Sequence, residues 1–248
     1  MKSPNGIKAI LYDLDGTLRY NLPSGRAFFI EHLNTLGLEI TAEDTRRSGV
    51  WEHRYWAESG EMFRDHDDYP SPDTFWTNYA RRQLEWLGCP AEQARALAPE
   101  MRQYMSEAYH PQDVLLPGVE SALRELSAGG YLLGVVSNRE QPFGDYLVNK
   151  GLDKHVAFSL SGGEANSKKP DKGIFEHALR LADVCAEETI FVGDNYFADV
   201  VGARAAGIQP VLFDPERLFD EPDCPVICSH AELSKLLIGR NTWPGNRK

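Results

Sequence analysis

The chain has 248 residues, with 26 Lys and Arg against 37 Asp and Glu, and therefore a formal net charge of −11. Hydrophobic residues make up 42% and charged residues 25%, which excludes disordered, collagen-like and coiled-coil proteins. A field of this sign repels phosphate backbones and anionic membrane surfaces, so we expect neither a nucleic-acid nor a membrane partner.

The four cysteines predict no disulfide framework, because a chain of this length buries enough core to be stable without one. No stretch approaches the roughly 18 consecutive apolar residues of a membrane span, and the first apolar run is too short for a signal peptide. We therefore expect a soluble protein of the reducing cytoplasm. The sequence does not determine its oligomeric state.

The first predicted element is a buried strand over residues 7–12, a short apolar run rich in β-forming residues. It ends in two carboxylates, Asp13 and Asp15, and Gly16 behind them lets the backbone turn tightly. Taken alone, this pair is also compatible with a solvated turn, because Asp and Gly are common in loops. The choice between the two interpretations depends on the polar groups at the other strand ends.

Helical signals replace β-branched runs over residues 24–110. Thr41 and Asp44 have the spacing of a capping box, and Ser71 before Pro72 is typical of an N-cap followed by proline in the first turn. The segment therefore predicts a helical domain inserted after the first strand.

The inserted segment also holds four of the five tryptophans of the chain. We expect these aromatic residues to fill the core of the helical domain rather than to form a lid over a ligand. They are Trp51, Trp56, Trp76 and Trp86.

Beyond residue 118 the pattern alternates predicted helices with short apolar runs. The runs predict four further strands, over residues 132–136, 189–192, 210–213 and 226–228. Strands separated by helices pair in parallel through right-handed crossovers, which places the loops after the strands at one edge of the sheet. We therefore expect an α/β fold whose polar motifs meet at that edge.

Two polar motifs occupy positions where they would reach this edge. Ser137 and Asn138 end the second strand and offer hydroxyl, amide and backbone donors to an oxyanion. Lys169 precedes a helix predicted over residues 173–181, where a lysine offers positive charge to a phosphate. Each motif by itself is also compatible with an ordinary strand end or a solvated basic loop.

A second pair of acids, Asp194 and Asp199, follows the strand predicted over residues 189–192. Acidic groups at two strand ends provide the oxygen ligands that Mg²⁺ prefers in proteins. The sequence therefore predicts a Mg²⁺ site at this edge of the sheet.

Cys224, Cys228 and His230 lie close together in the sequence, but they lack the spacing and the fourth ligand of a zinc site. Residues 226–227 between them favour an edge strand. We therefore expect no metal clip there.

Taken in order, these motifs resemble the haloacid dehalogenase superfamily, in the phosphatase-like branch that carries a helical (C1-type) cap, as phosphoglycolate phosphatase-like hydrolases do. The resemblance covers residues 7–213 and includes all four family motifs. It implies a Rossmann-like parallel sheet core of residues 1–19 and 112–240, with an inserted, mainly α-helical cap domain of residues 20–111. Residues 241–248 are expected to form a loose tail.

The resemblance assigns chemistry to the first motif. Asp13 is similar to the nucleophile that attacks phosphorus and becomes a transient aspartyl phosphate. Asp15 would protonate the departing alcohol and then take a proton from the hydrolytic water, which requires a carboxyl group with a raised pKa.

The resemblance also assigns the groups that hold the cofactor and the phosphate. Mg²⁺ would be held by the Asp13 carboxylate, the Asp15 backbone carbonyl and Asp194, and Asp199 would support these ligands. The transferring phosphoryl oxygens would be bound by Ser137, the Asn138 backbone and Lys169.

These assignments predict a Mg²⁺-dependent phosphatase that hydrolyses a small phosphorylated metabolite. Asp15 argues against a dehalogenase, because a halide leaves without a proton. Two alternatives stay open: a sugar phosphomutase of the same superfamily, and a non-catalytic binding protein on this scaffold. Phosphoglycolate, sugar phosphates and nucleoside monophosphates all remain candidate substrates, because the core motifs bind only phosphate and metal.

Overall fold

The computed structural model describes residues 6–238, so the tail expected at residues 241–248 lies outside the described residues. Within them the chain forms eight strands and eleven α-helices. Their bounds are β1 (Ala9–Tyr12), β2 (Arg19–Leu22), α1 (Gly25–Thr35), α2 (Ala42–Tyr55), α3 (Gly60–Asp68), α4 (Pro72–Trp86), α5 (Ala91–Ala108), β3 (Gln112–Leu115), α6 (Val119–Ala128), β4 (Leu132–Ser137), α7 (Gly144–Asn149), β5 (Phe158–Ser161), α8 (Gly162–Ala165), α9 (Lys172–Ala182), β6 (Thr189–Gly193), α10 (Val201–Ala205), β7 (Gln209–Phe213), β8 (Val226–Ile227) and α11 (His230–Ile238).

Six of these strands form one parallel sheet in the order β5-β4-β1-β6-β7-β8. In its register, Tyr12 at the end of β1 lies opposite Val135 of β4 and Val192 of β6. The three central strands therefore end nearly level, and the residues that follow them share one edge. The predicted α/β fold with a Rossmann-like parallel sheet is confirmed, as is the edge position of strand β8.

The central strands are buried on both faces, which explains why β1 and β6 are nearly continuous apolar runs. Successive side chains of a strand point to opposite faces, so β1 contributes to two separate cores. Ile10 and Tyr12 pack in one apolar cluster with residues of α6 and α11. Leu11 packs in the other cluster with Phe175 of α9 and Phe191 of β6.

The helices α1–α4 begin at residues that satisfy free backbone amides of the first turn. The side chains of Ser24, Thr41, Ser59 and Ser71 each accept a hydrogen bond from the first turn of the helix that follows. The predicted capping box of Thr41 and the proline start of α4 are both present. These helices enclose two apolar clusters of their own.

The chain divides into two compact units. One consists of the described residues up to Tyr20 and from Leu115 onward, and the other is Asn21–Val114. We refer to them as the sheet unit and the helical unit. Strands β2 and β3, which the sequence pattern did not predict, pair with each other at the two points where the chain passes between the units.

The tryptophans of the helical unit are not uniformly in its core. Trp51 is buried, as expected, but the expectation is wrong for Trp56, Trp76 and Trp86, which are 38%, 46% and 40% exposed. The exposed indoles have amphipathic rings, and Trp56 donates a hydrogen bond from Nε1 to the hydroxyl of Tyr79 at 3.1 Å.

None of the helices within residues 6–238 is both long and apolar enough to cross a membrane.

Candidate active site

The polar groups predicted from the sequence come together at the carboxyl edge of the parallel sheet. Asp13 directly follows β1, Ser137 is the last residue of β4, and Asp194 directly follows β6. Lys169 reaches the same place from the loop before α9, with its Nζ 2.5 Å from Asp13 Oδ1. The parallel register therefore brings together residues that lie up to 181 positions apart in the numbering of the chain.

Gly16 makes the turn after β1 possible. Its φ of +93° lies in the left-handed region, and a Cβ at this position would overlap the carboxylate of Asp194. The glycine therefore permits both the turn and the close approach of the acidic loop after β6.

Thr17 joins the turn after β1 to that acidic loop. Its hydroxyl donates to Asp194 Oδ1 at 3.0 Å and accepts from the Asp194 amide at 2.9 Å. Its own carbonyl oxygen accepts from His230 Nε2 at 2.8 Å. Burial lowers the pKa of His230 and outweighs the opposite effect of the Thr17 carbonyl, which favours the neutral ring. His230 therefore supports the site through Thr17, and the structure brings no zinc-type cluster together around it within the described residues.

Lys169 is a buried cation held between two carboxylates. Its Nζ lies 2.5 Å from Asp13 Oδ1 and 2.7 Å from Asp199 Oδ1. Burial favours the neutral amine, but the charges of Asp13 and Asp199 outweigh that effect and raise the pKa of Lys169. The lysine therefore stays charged in a place where a phosphate needs a cation.

Asn138 fixes the loop that carries this lysine. Its side-chain amide donates to the Lys169 carbonyl at 2.9 Å, and its Oδ1 accepts from the Lys169 amide at 2.7 Å. The sequence predicted a role for the Asn138 backbone, and the structure adds this role for its side chain. Ser137 is buried, with its Oγ 3.4 Å from Asp15 Oδ2.

Three carboxylates, those of Asp13, Asp194 and Asp199, place one oxygen each within 4.8 Å of one another. Burial, together with the charges of Asp199 and Asp15, raises the pKa of Asp13 to about 7, although Lys169 acts to lower it. Burial and the charge of Asp13 raise the pKa of Asp194 to about 8. Burial also raises the pKa of Asp199. One lysine is too little positive charge for this cluster, so its members resist ionisation together.

Asp13 has one oxygen that this network does not use. Oδ2 is buried, and no group within residues 6–238 donates a hydrogen bond to it. A buried acceptor without a partner is costly unless a ligand satisfies it. With the oxygen atoms of Asp194 and Asp199 nearby, it gives the set of hard donors that suits Mg²⁺.

The expectation of a raised pKa for Asp15 is wrong in this structure. Burial by itself raises the pKa of Asp15. The hydrogen bonds and charges of Arg139 and Arg19 outweigh burial and lower this pKa overall. Arg139 donates from Nε to Asp15 Oδ2 at 2.9 Å and from Nη2 to Oδ1 at 2.7 Å. Arg19 donates from Nη1 to Oδ1 at 3.1 Å. Asp15 is therefore held here as a carboxylate.

Three residues of this site were not predicted from the sequence: Arg139, Thr17 and His230. A local signal for Arg139 was present, because this basic residue directly follows the predicted polar strand end of Ser137 and Asn138. Thr17 and His230 act through contacts that join residues 177 and 213 positions apart, and no local pattern marks such pairs.

The helical unit contains a cavity of about 730 Å³. Arg26, Glu52 and Gln83 form much of its polar lining, and Trp56 and Tyr79 are part of its aromatic wall. Glu52 accepts hydrogen bonds from Arg26 at 2.8 Å and from Gln83 at 2.8 Å. The polar groups of the cavity are therefore largely engaged with one another.

Comparison with known proteins gives one consistent result. A family model described as haloacid dehalogenase-like hydrolase matches residues 7–207. The chain is 31% identical to a phosphoserine phosphatase of Thermus thermophilus, over 88% of this chain and 92% of that protein. It is 30% identical to a ribulose-1,5-bisphosphate 5-phosphatase of Halopiger xanaduensis, over 86% of this chain and 87% of that protein.

Among solved structures, a HAD phosphatase from Thermococcus onnurineus has the same fold. It superposes with a TM-score of 0.56 and 19% identity, covering 95% of this chain and 100% of that one. Identity at this level supports the fold alone.

Proposed function

This chain belongs to the haloacid dehalogenase-like hydrolases and is a phosphatase of that family, and we propose that it uses Mg²⁺ and an aspartyl phosphate at Asp13 to hydrolyse a small phosphorylated metabolite. The observation that carries the proposal is the surroundings of Asp13. One of its oxygens is bound by a buried lysine, and the other is buried without a hydrogen-bond donor among the described residues.

Asp13 is the proposed nucleophile. Lys169 orients the carboxylate through Oδ1, so the carboxylate has a fixed direction before substrate arrives. In the first step an oxygen of Asp13 attacks phosphorus, the bond from phosphorus to the alcohol breaks, and the alcohol oxygen receives a proton. In the second step water attacks the phosphorus of the aspartyl phosphate, which restores the carboxylate and releases phosphate.

Asp15 is the proposed proton donor and acceptor for these two steps. The carboxylate form held by Arg139 and Arg19 suits the second step, in which Asp15 takes a proton from water. Donation to the leaving alcohol requires a protonated Asp15 that has given up part of this pairing. The ion pair of Asp15 and Arg139 therefore has to change during the cycle.

The phosphoryl group has a proposed binding position between Lys169, Ser137 and the backbone of Asn138. The ammonium group of Lys169 and the hydroxyl group of Ser137 are fixed by burial before substrate binds, so little reorganisation accompanies charge development on the phosphoryl oxygens. The side chain of Asn138 contributes by locking the backbone of Lys169.

Mg²⁺ is the proposed cofactor, held by the Asp13 carboxylate, the Asp15 backbone carbonyl and Asp194, with Asp199 as support. When bound, Mg²⁺ offsets the negative charges of the carboxylates and of the phosphate that meet here. Asp199 supports the cluster through Lys169 and by accepting the Asn195 amide at 2.9 Å.

We further propose that the helical unit, corresponding to residues 20–111 of the sequence analysis, acts as a cap that contributes to substrate choice. The two phosphatase relatives are named for different substrates, phosphoserine and ribulose-1,5-bisphosphate, so neither name transfers directly. Both substrates are small phosphate esters that carry a second acidic group. The four cysteines are free thiols, in accord with the proposed location in a reducing cytoplasm.

The test is release of free phosphate from a panel of phosphomonoesters in the presence of Mg²⁺. The panel includes carboxylated esters, sugar phosphates and nucleoside monophosphates. We expect release from one or a few of them, and loss of that release both after chelation with EDTA and in Asp13→Asn.

Two outcomes would contradict the proposal. Release that persists in folded Asp13→Asn would reject the nucleophile. Isomerisation of a sugar phosphate without free phosphate would instead favour a phosphomutase. Circular dichroism of each variant serves as the control for folding.

A further inference from the structure

We propose that Arg139 determines substrate specificity by binding a carboxylate on the alcohol part of the phosphate ester. The inference rests on the proposed phosphatase function and names the class of ester that the same site would prefer. Arg139 exchanges the carboxylate of Asp15, which it holds in this structure, for the carboxylate of the substrate.

The first support is the geometry of the existing pair. The guanidinium of Arg139 donates from Nε and Nη2 to the two oxygens of one carboxylate, at 2.9 and 2.7 Å. This paired, fork-like arrangement matches the shape of a carboxylate and is among the stronger hydrogen-bonded contacts in proteins. Asp15 therefore occupies a position that already fits a carboxylate.

The second support is where this position lies in the site. The backbone amide of Arg139 donates to Ser137 Oγ at 3.3 Å, and the guanidinium extends from there to Asp15. Lys169 contacts Asp13 and Asp199, so the two cations hold different carboxylates. Asp15 is the residue proposed to meet the leaving oxygen, and a group bonded to Asp15 therefore lies beside the alcohol part of the ester.

The third support is that the guanidinium is both oriented and accessible. It lies 4.9 Å from the ring centroid of Tyr146 and 6.0 Å from that of Phe143, which is buried. Contacts of this kind hold an arginine in one direction at little entropic cost. The Arg139 side chain is 33% exposed, so a ligand can reach it.

The fourth support is the balance of charge at this position. Asp15 is shared by two guanidiniums, because Arg19 also donates to its Oδ1 at 3.1 Å. This trio therefore places two guanidinium groups against one carboxylate. When a substrate carboxylate takes Arg139, Arg19 still holds Asp15 by one contact, and the carboxyl group gains freedom to turn toward the leaving oxygen.

The experiment compares matched pairs of esters that differ in the carboxylate. The first pair is 2-phosphoglycolate and 2-hydroxyethyl phosphate, and the second is O-phospho-L-serine and O-phosphoethanolamine. For each ester kcat/KM for phosphate release is measured with Mg²⁺ in the full-length protein and in Arg139→Gln. The carboxylate preference is the ratio of the two values within a pair.

We expect the unchanged protein to prefer the carboxylated member, and Arg139→Gln to reduce that preference by about 10- to 100-fold, the worth of a charged hydrogen-bond pair. The additional loss falls on the carboxylated ester. Any effect of Arg139 on Asp15 is common to both esters of a pair, so the ratio within the pair reports carboxylate binding alone. Arg139→Lys keeps the charge but not the fork, so its preference lies between the two.

The matched control is Arg204→Gln, because Arg204 also binds a carboxylate through two nitrogens, at Asp223 on the exposed surface. This variant is expected to keep the full preference. A preference that is absent from the unchanged protein, or equal in Arg139→Gln, would overturn the inference alone, provided that phosphate is released. No release from any ester would overturn the proposed function itself.

Discussion

The two units of this protein both bury carboxylates, but they treat them differently. In the helical unit Asp65 is 1% exposed, accepts from Arg82 Nη2 at 2.7 Å and from the Tyr55 hydroxyl at 3.0 Å, and Glu61 pairs with the same arginine. In the sheet unit Lys169 contacts Asp13 and Asp199, and the carboxylate of Asp194 belongs to the same cluster. The first network is paired with donors, and the second retains negative charge.

This difference separates a structural network from a reactive one. A buried ion pair that serves only the fold is complete when each charge has a partner. The sheet unit instead keeps an acceptor without a donor, Asp13 Oδ2, and raises the pKa of Asp13 and Asp194 to about 7 and about 8. Such an arrangement costs stability and is typical of a site that binds a cation and a phosphate.

The largest expected effect comes from removing the nucleophile. Asp13→Asn is expected to lower kcat for phosphate release by roughly 10⁴-fold or more, since losing a nucleophile removes the covalent route. The same change removes one buried negative charge, so the thermal midpoint of the protein without metal is expected to stay level or rise. Parallel activity and melting measurements check both. A large fall in thermal midpoint with activity retained would contradict the assignment of the Asp13 network as reactive rather than structural.

The opposite pattern is expected in the helical unit. Arg82→Met leaves Asp65 buried without its cation, and breaking a buried pair in this way costs about 2–4 kcal/mol, allowing for the partial exposure of the arginine. Activity per folded molecule at low temperature is expected to be retained. Urea unfolding followed by circular dichroism measures the loss. A variant as stable as the unchanged protein would show that the pair is not structural.

Asp194→Asn tests whether the carboxylate cluster of the sheet unit binds Mg²⁺. Without Mg²⁺ the variant is expected to melt roughly 2–5 °C higher, because it lacks a carboxyl group that has to take up a proton on folding near neutral pH. The unchanged protein is expected to gain stability when Mg²⁺ is added, and the variant to gain little. Thermal melts with and without Mg²⁺ test both halves. An equal Mg²⁺ response in the two proteins would remove Asp194 from the proposed ligands.

The smallest expected effect is on pH dependence. Because the pKa values of Asp13 and Asp194 are raised in the folded protein, the fold retains protons that the unfolded chain has lost above about pH 4. Without metal, the free energy of unfolding contributed by these two groups therefore falls as pH rises from about 4 to about 8. Mg²⁺ displaces fewer protons from these carboxyl groups at pH 8 than at pH 6. The rise in the thermal midpoint of the protein on adding Mg²⁺ is therefore expected to be larger at pH 8.

Asp194→Asn is the control for this titration, because it removes one of the two groups and should flatten the trend. A Mg²⁺ gain that is independent of pH in the unchanged protein would mean that these carboxylates are already ionised in the metal-free fold.

Local patterns in the sequence were enough for much of the fold. The apolar runs predicted the strands β1, β4, β6, β7 and β8, and the polar residues after them identified the carboxyl edge of the sheet. The capping box at Thr41 was visible because its partner, Asp44, is three residues away. Strands β2, β3 and β5 were missed. β5 alternates Phe and Leu with Ser and is not an apolar run, whereas β2 and β3 are short, largely solvent-accessible and paired with each other across the whole helical unit.

Electrostatics of the site were less accessible from the sequence. The raised pKa expected for Asp15 followed from the chemistry required of it, whereas the pKa is lowered by an arginine 124 residues away. The exposure of three indoles of the helical unit was also missed, because composition alone cannot distinguish a core residue from a partly exposed one. The Asp15–Arg139 pair and the exposure of the indoles both depend on contacts in the folded chain and not on the spacing of residues in the sequence.

The most direct test of the central claim, that Asp13 is the nucleophile, is chemical trapping. The protein in molar excess is mixed with Mg²⁺ and an ester that it hydrolyses, quenched in acid within milliseconds, reduced with borohydride and analysed by peptide mass spectrometry. An aspartyl phosphate is reduced to homoserine, so we predict homoserine at position 13 and none in Asp13→Asn. Homoserine at another acidic position, or phosphate release during the first turnover without modification of Asp13, would contradict the account.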